Sequence, residues 1–394
     1  MIELVEKVEQ ASSPSAARIK VIGVGGAGGN TVNSIIRSGD CSNIEFIAAN
    51  TDSQALDQSK ADHVIQLGTK LTKGLGSGAD PEIGRRATEE DIETIAGHLQ
   101  NADIVFLTAG LGGGTGSGGI PVVARALRER NILSVAVVTK PFDFEGRRRM
   151  RVAEETLAQL RKNVDTLIVI PNQKLLAIAE KKLSLIDAFE TVNTYMGQFV
   201  KSISNIITKP GHINVDFADV QAIMRNMGTA VMGTGRATGE NRAEEATMQA
   251  ISSPLLETQS IAGARGVLLN ITGNTSISLH EVSVAAQIIY SQVNEDANIV
   301  LGSVIDESMD DSIAVTIIAT GFEKGRDQEI IAAEPVKTGF VDQMLMPDAK
   351  QPGQQPRTQL AKKLEHLTPD DIEIPALLRR PQSEHQMQSQ ESSE

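Results

Sequence analysis

Gly110-Leu111-Gly112-Gly113-Gly114-Thr115-Gly116-Ser117-Gly118-Gly119 follows a strand-like run at 103–109 and passes directly into a helical pattern at 117–130. Glycines packed this densely between a strand and a helix let the backbone turn sharply and bring N–H groups against phosphate oxygens at the helix N-terminus. Upstream, the strand at 18–23 runs into Gly23-Val24-Gly25-Gly26-Ala27-Gly28-Gly29-Asn30 and again enters a helix. A third glycine turn, Gly74-Leu75-Gly76-Ser77-Gly78, follows the strand at 62–67. Ligands of open α/β sheets bind beyond the carboxyl ends of the strands, so the three loops converge there. The first loop alone has two other readings. One is a structural tight turn. The other is the G-x-G-x-x-G of an NAD-dependent oxidoreductase, with Gly23, Gly25 and Gly28 on the pyrophosphate and Asn50 or Asp52 on the ribose. That enzyme would leave the second loop idle, whereas a triphosphate can occupy several. G-x-x-x-x-G-K-[ST] does not occur, so this is not a P-loop protein.

Outward from these loops, β-branched runs alternate with amphipathic stretches from Arg18 to about Ile170, the pattern of βαβ units around a parallel sheet. Strands are expected at 18–23, 44–49, 62–67, 103–109, 132–139 and 166–170, and helices at about 29–38, 80–99, 117–130 and 147–162. From Leu185, the apolar residues Phe189, Val192, Met196, Phe199, Ile203 and Ile206 recur at helical spacing, which predicts one long buried helix over 183–207, stopped by Lys209, Pro210 and Gly211. Helices at 217–227, 242–251 and 279–293, the last opened by a capping box from Ser278 to Glu281, interleave with strands at 265–271, 298–305 and 312–319. The fold class is α/β: a doubly wound parallel-sheet domain joined by a long central helix to an α+β domain, with a disordered C-terminal tail. The expected divisions are a flexible segment at 1–16, a nucleotide domain at 17–182, the helix at 183–209 and the second domain at 210–320. A linker at 321–367, with its Pro- and Gln-rich KQPGQQPRTQ, leads to a terminal segment at 368–394.

Composition narrows the function. The 394 residues carry 37 Lys plus Arg against 50 Asp plus Glu, and a net charge of -13 repels nucleic acid and anionic lipid. One cysteine, Cys41, cannot close an intrachain disulfide, and the histidines are scattered without zinc-motif spacing, which fits a reducing cytoplasm. Met1 to Glu9 lacks the basic start and apolar run of an export signal, and no apolar run reaches membrane-spanning length, so direct membrane insertion is not expected.

The heptapeptide GGGTGSG at Gly112 to Gly118 resembles the signature of the tubulin/FtsZ family, and the resemblance extends over about residues 17–320. It implies a tubulin-like GTPase that binds GTP or GDP with Mg²⁺ and polymerises head to tail into protofilaments, forming the contractile ring at the bacterial division site. It also implies a cytoplasmic protein concentrated at mid-cell. By position, Gly25, Gly26, Ala27, Gly28, Gly29 and Asn30, with Gly110, Gly112, Gly113, Gly114, Thr115 and Gly116, would hold the phosphates. Asn50, Asp52, Gly74 and Gly76 would complete the phosphate and ribose side, and Glu145 and Arg149 would lie in the ribose region. Asn172, Phe189 and Asn193 match guanine-recognition positions. The family commonly has Asn-Asp where this chain has Asn193-Thr194, so Thr194 offers the base no carboxylate. The terminal DIEIPALLRR resembles the family's partner-binding peptide. It would dock to membrane-tethering division proteins and assembly regulators through Ile372, Ile374, Pro375, Leu377 and Leu378, with Arg379 and Arg380 as charge contacts.

Asn214-Val215-Asp216-Phe217-Ala218-Asp219 lies beyond the long helix. Carboxylates three apart at a helix start are ordinarily caps. Yet a helix over 183–207 is about 36 Å long at 1.5 Å per residue, so acids beyond one end cannot reach a phosphate site near the other. They could reach that of a neighbour stacked head to tail, a contact that does not close and therefore propagates a filament. The family resemblance implies the same: NVDFADV is the loop that supplies the catalytic acids. Asp216 and Asp219 are assigned to orienting the attacking water, Asn214 to supporting the loop, and no metal is expected to be ligated directly by side chains. A nucleotide-bound structural filament with negligible turnover is the non-enzymatic alternative.

Overall fold

The strands are β1 (Ile19–Val24), β2 (Ile44–Asn50), β3 (His63–Gln66), β4 (Ile104–Gly110), β5 (Leu133–Lys140), β6 (Thr166–Pro171), β7 (Gly228–Thr238), β8 (Gly266–Gly273), β9 (Asn298–Ile305) and β10 (Ser312–Thr320). They were traced in a computed structural model that describes residues 17–39, 41, 43–178, 184–209, 211, 213–253 and 261–322. The segments expected at 1–16 and beyond 322, including the peptide from Ile372 to Arg380, lie outside the described residues. The described strands form one sheet in the order β3-β2-β1-β4-β5-β6-β7-β10-β8-β9. It is parallel from β3 to β7, antiparallel across β7-β10 and β10-β8, and parallel again at β8-β9. The first six follow the doubly wound order, in which the direction of strand addition reverses between the parallel neighbours β1 and β4.

The first helices are α1 (Gly25–Arg37), α2 (Ser53–Asp57), α3 (Thr69–Thr72), α4 (Pro81–Glu90), α5 (Ile92–Leu99) and α6 (Thr115–Glu129). They are followed by α7 (Arg147–Asn163), α8 (Asn172–Ile178), α9 (Leu185–Thr208), α10 (Phe217–Met224), α11 (Arg242–Ile251) and α12 (Leu279–Tyr290). Two boundaries differ from expectation for identifiable reasons. The helix expected over 80–99 divides at Asp91, whose backbone leaves the helical region at φ -110° and ψ 15° while its carboxylate accepts the Gly68 N–H at 2.7 Å. The helix expected from 29 begins at Gly25, so the glycine loop is itself the first turn of α1. Inside α6, Pro121 cannot donate to the Ser117 carbonyl four residues back, and the Thr156 hydroxyl of α7 donates to it at 3.4 Å instead.

β7 is a strand that the periodicity did not disclose. Its sequence GTAVMGTGRAT is interrupted by Gly233 and Gly235, which weakens the β-branched signal. The tertiary contact explains Gly235: a Cβ there would lie 2.0 Å from the Ala246 carbonyl oxygen, so α11 packs directly on the strand. β7 pairs with β6 through Thr166, Leu167 and Ile168 on one side and along its length with β10 on the other. The expected second set of strands is therefore continuous with the first sheet. α9 covers the junction, with Met196, Phe199, Val200 and Ile203 buried in one cluster with Phe106 and Val135 from the first half and Leu268 and Ile318 from the second. The opposite face of the first half packs Ile22, Ile47, Ile95 and Leu99 beneath α5 and α6.

Candidate functional site

β1 and β4 are parallel neighbours, and each ends in glycines that open a helix, α1 and α6. Gly25 sits at φ +75°, and a Cβ on it would lie 2.8 Å from the Gly116 amide nitrogen. Both constraints require glycine, and they bring the two helix N-termini side by side. First-turn N–H groups have no intrahelical acceptor, so the pair presents a concentrated donor surface backed by two helix dipoles.

A solvent-open cleft of about 300 Å³ lies over this surface, at the lower end of the range of small-molecule sites. Gly26, Ala27, Gly110, Gly113, Gly114, Thr115 and Gly116 form its floor. The Thr115 hydroxyl is held between Thr51 (2.7 Å) and Ser77 (3.0 Å), so three hydroxyls converge beside the α6 N-terminus. Thr51 and Ser77 were not singled out from the sequence, although Thr51 lies between Asn50 and Asp52 and Ser77 lies within the third glycine turn. That turn is pinned to the segment after β2 by Ser53 N–H to Gly74 O (3.1 Å) and Gly76 N–H to Thr51 O (3.2 Å).

One wall is Glu145 and Arg149. Glu145 accepts the Phe142 N–H at 2.9 Å with one oxygen and the Arg149 guanidinium with the other, which ties the short 3₁₀ turn Asp143–Glu145 to α7. The far wall combines Asn172, Phe189 and Asn193. Phe189 is 40% exposed and meets Phe142 edge-on, with ring centroids 5.3 Å apart, which leaves a ring face open for stacking. The Asn193 Oδ1 accepts from the Thr31 hydroxyl at 3.2 Å, leaving its NH₂ as a donor. The Asn172 Oδ1 is buried without a hydrogen-bond partner among the described residues. A buried orphan acceptor on a cleft wall fits a ligand that carries N–H donors.

Several expected positions lie elsewhere. Thr194 does not line this cleft: one residue beyond Asn193 on a helix is about 100° round the axis, and its hydroxyl donates to the Glu190 carbonyl at 2.9 Å. Asn50 and Asp52 turn the chain after β2, with Asp52 capping α2 through the Gln54 N–H at 3.0 Å. Gly25, Gly29, Asn30 and Asn50 line a hollow that shares Gly26 with the cleft, and Gly28 packs beneath the first loop against the Thr108 carbonyl. The Gly112 N–H is taken by the Ser117 hydroxyl at 2.8 Å, so it is not open to a phosphate. Gly112 instead, at φ +99°, lets the chain approach Arg149.

Asn214, Asp216 and Asp219 are exposed and none lines the cleft. Their loop is held to β9 by Ser303 N–H to Ile213 O at 3.1 Å and by burial of Val215, while the Asn214 Oδ1 accepts the Gly211 N–H at 2.9 Å. Asp216 caps α10 by accepting the Asp219 N–H at 2.9 Å. Between cleft and loop runs α9, whose 24 residues span about 36 Å.

A sequence model of the Tubulin/FtsZ family, GTPase domain, matches residues 18–180, and one of the FtsZ family, C-terminal domain, matches residues 228–323. The solved FtsZ dimer of M. jannaschii is 43% identical, with a TM-score of 0.74 over 77% of this chain and 88% of that one. The chain belongs to the tubulin/FtsZ family of GTPases. Membership implies that the chain binds GTP and GDP, and the oxidoreductase reading of Gly23, Gly25 and Gly28 is set aside. The fold is also that of CetZ1 from Haloferax volcanii, a GDP-bound monomer, with 23% identity and a TM-score of 0.68 over 78% of this chain and 95% of that one. CetZ2 from the same organism, a GTPγS-bound protofilament, has 22% identity and a TM-score of 0.66 over 79% and 96%.

Proposed function

We propose that copies of this chain assemble head to tail into protofilaments, that GTP is hydrolysed at each junction, and that the filaments form the ring at the bacterial division site. The observation that carries the reading is the separation of acids from cleft by the length of α9, with the acids exposed on a loop anchored to β9. In a head-to-tail contact, Asp216 and Asp219 of one copy face the phosphates held by the next. They orient and polarise a water, whose oxygen adds to the γ-phosphorus as the bond to the β,γ-bridging oxygen breaks, releasing GDP and phosphate. The α6 first-turn N–H groups and the Thr115 hydroxyl stabilise the charge on the transferring group. Asn214 supports the loop. Asn172, Asn193 and Phe189 hold the guanine, and Arg149 with Glu145 the ribose side. Loss of the γ-phosphate removes contacts at the junction and weakens it.

Among the described residues lining the cleft, Glu145 is the one carboxylate and it is already paired with Arg149, so the donor set fits a Mg²⁺ carried by the phosphates, which the Thr115 and Ser77 hydroxyls would help to hold, with Thr51 orienting Thr115 from beneath. Bound there, Mg²⁺ would neutralise charge on the β- and γ-oxygens. No described helix is long and apolar enough to cross a membrane. Recruitment to membrane-tethering division proteins and regulators is assigned to Ile372, Ile374, Pro375, Leu377, Leu378, Arg379 and Arg380, and the filament to the cytoplasmic side at mid-cell.

Complementation tests the shared site. A nucleotide-binding variant, Gly116→Val, and an acid variant, Asp216→Ala, should each show little phosphate release alone. Mixed, they should recover a substantial fraction, because one copy supplies an intact cleft and the other an intact loop. No recovery on mixing, with co-sedimentation of the two variants demonstrated, would overturn the reading.

A further inference from the structure

At the amino ends of the same strands, away from the nucleotide, lies a second cluster of chemistry-bearing side chains. Lys20 of β1 pairs in register with Glu45 of β2, and Ile47 of β2 pairs with His63 of β3. Lys20, Glu45 and His63 therefore project from one face, the face that α5 covers. His98 lies in the last turn of α5. The His63 and His98 rings are 4.5 Å apart, tilted by 40°, and the His63 Nε2 is 3.2 Å from a Glu45 oxygen. One ligand atom from each of Glu45, His63 and His98 lies within 4.8 Å of the others.

We propose that Glu45, His63 and His98 form a zinc site that fastens the edge strand β3 to α5. Two imidazoles and one carboxylate are a donor set suited to Zn²⁺. Adjacent ligands on a tetrahedral zinc with bonds of about 2.05 Å are about 3.3 Å apart, which the His63–Glu45 pair already matches. The remaining separations are within 4.8 Å and must shorten by at most about 1.5 Å to reach that spacing. The second oxygen of Glu45 is held by the Lys20 ammonium at 2.9 Å, which also donates to the His98 carbonyl at 2.6 Å. Lys20 thus orients both a ligand and the segment carrying another, as outer partners of metal sites do. Its positive charge opposes the metal, while the C-terminal end of α5 favours a cation. Three protein ligands on an exposed edge leave the fourth position to water. The site is about 13 Å of strand from the glycine loops, reckoned from Lys20 to Val24, so it is separate from GTP turnover.

Tag-free protein with Mg²⁺ and GDP bound is titrated with Zn²⁺ by calorimetry and with Co²⁺ by visible absorption, beside His63→Gln, His98→Gln and the double variant. One Zn²⁺ per chain, a strong four-coordinate Co²⁺ spectrum and a raised Tm are expected. Affinity should fall by at least about tenfold in either single variant. GTP turnover in chelator, unchanged in all three, shows that the variants are folded. Wild-type Zn²⁺ affinity in the double variant, or a weak six-coordinate Co²⁺ spectrum in the wild type, overturns the site.

Discussion

Replacing Asp216 by Asn separates the two roles open to that residue. In the single chain it is a cap, its carboxylate accepting the Asp219 N–H at 2.9 Å at the start of α10. Asn caps a helix about as well as Asp, whereas Ala forfeits roughly 1 kcal/mol. For a folded body of about 300 residues, at about 2.1 cal/mol/K each, that lowers Tm by about 1–2 °C. Asp216→Asn should therefore melt with the wild type and Asp216→Ala about 1–2 °C below it. Catalysis should divide differently, because an amide can hold a water but carries no negative charge to polarise it. Loss of a catalytic carboxylate beside the attacking water is worth about 10²–10⁴-fold, so both variants should lose at least about a hundredfold in phosphate release while still binding GTP and sedimenting as polymer. The assays are thermal melting, phosphate release above the assembly threshold, and sedimentation with GTP. If Asp216→Asn hydrolyses GTP at the wild-type rate, Asp216 is a cap and nothing more.

Asn172→Ala should weaken GTP binding by about 1–2 kcal/mol, close to tenfold or somewhat more, and should narrow the preference for GTP over ATP, as read by competition binding; an unchanged preference would mean that the buried Oδ1 does not meet the base. In the second half of the sheet, Arg242 is 5% exposed and bonds Glu281 and Asp311. Arg242→Met should cost about 3 kcal/mol in denaturant unfolding by leaving Glu281 unpaired. Burial pushes the Glu281 carboxyl up, but the hydrogen bonds from Arg242 and Ser278 outweigh it and hold it below the usual range. Its contribution is thus present above the unfolded carboxyl's pKa of about 4.3 and lost as pH falls through the lower folded value. Unfolding followed from pH 6 downward should show that loss in the wild type and a smaller one in Arg242→Met.

Local pattern decided a good deal. A strand's apolar alternation and a helix's 3.6-residue period are written in neighbouring residues, so β1 to β6 and the buried face of α9 were legible, and so were the glycine loops, whose purpose is to have no side chain. Asp91 and Gly235 answer to partners distant in the chain, Gly68 and α11, and no window around either residue contains those partners. Thr194 shows the same limit at the scale of one residue: its identity was plain, but its direction depends on how α9 is rotated against α1. Only assembly of the sheet placed Thr51 and Ser77 on Thr115, buried the Asn172 acceptor in the cleft wall, and brought Glu45, His63 and His98 together across two strands and a helix. Backbone conformation follows from short-range sterics and hydrophobic period, whereas the meeting of side chains follows from strand register and helix rotation, which only the packed core specifies.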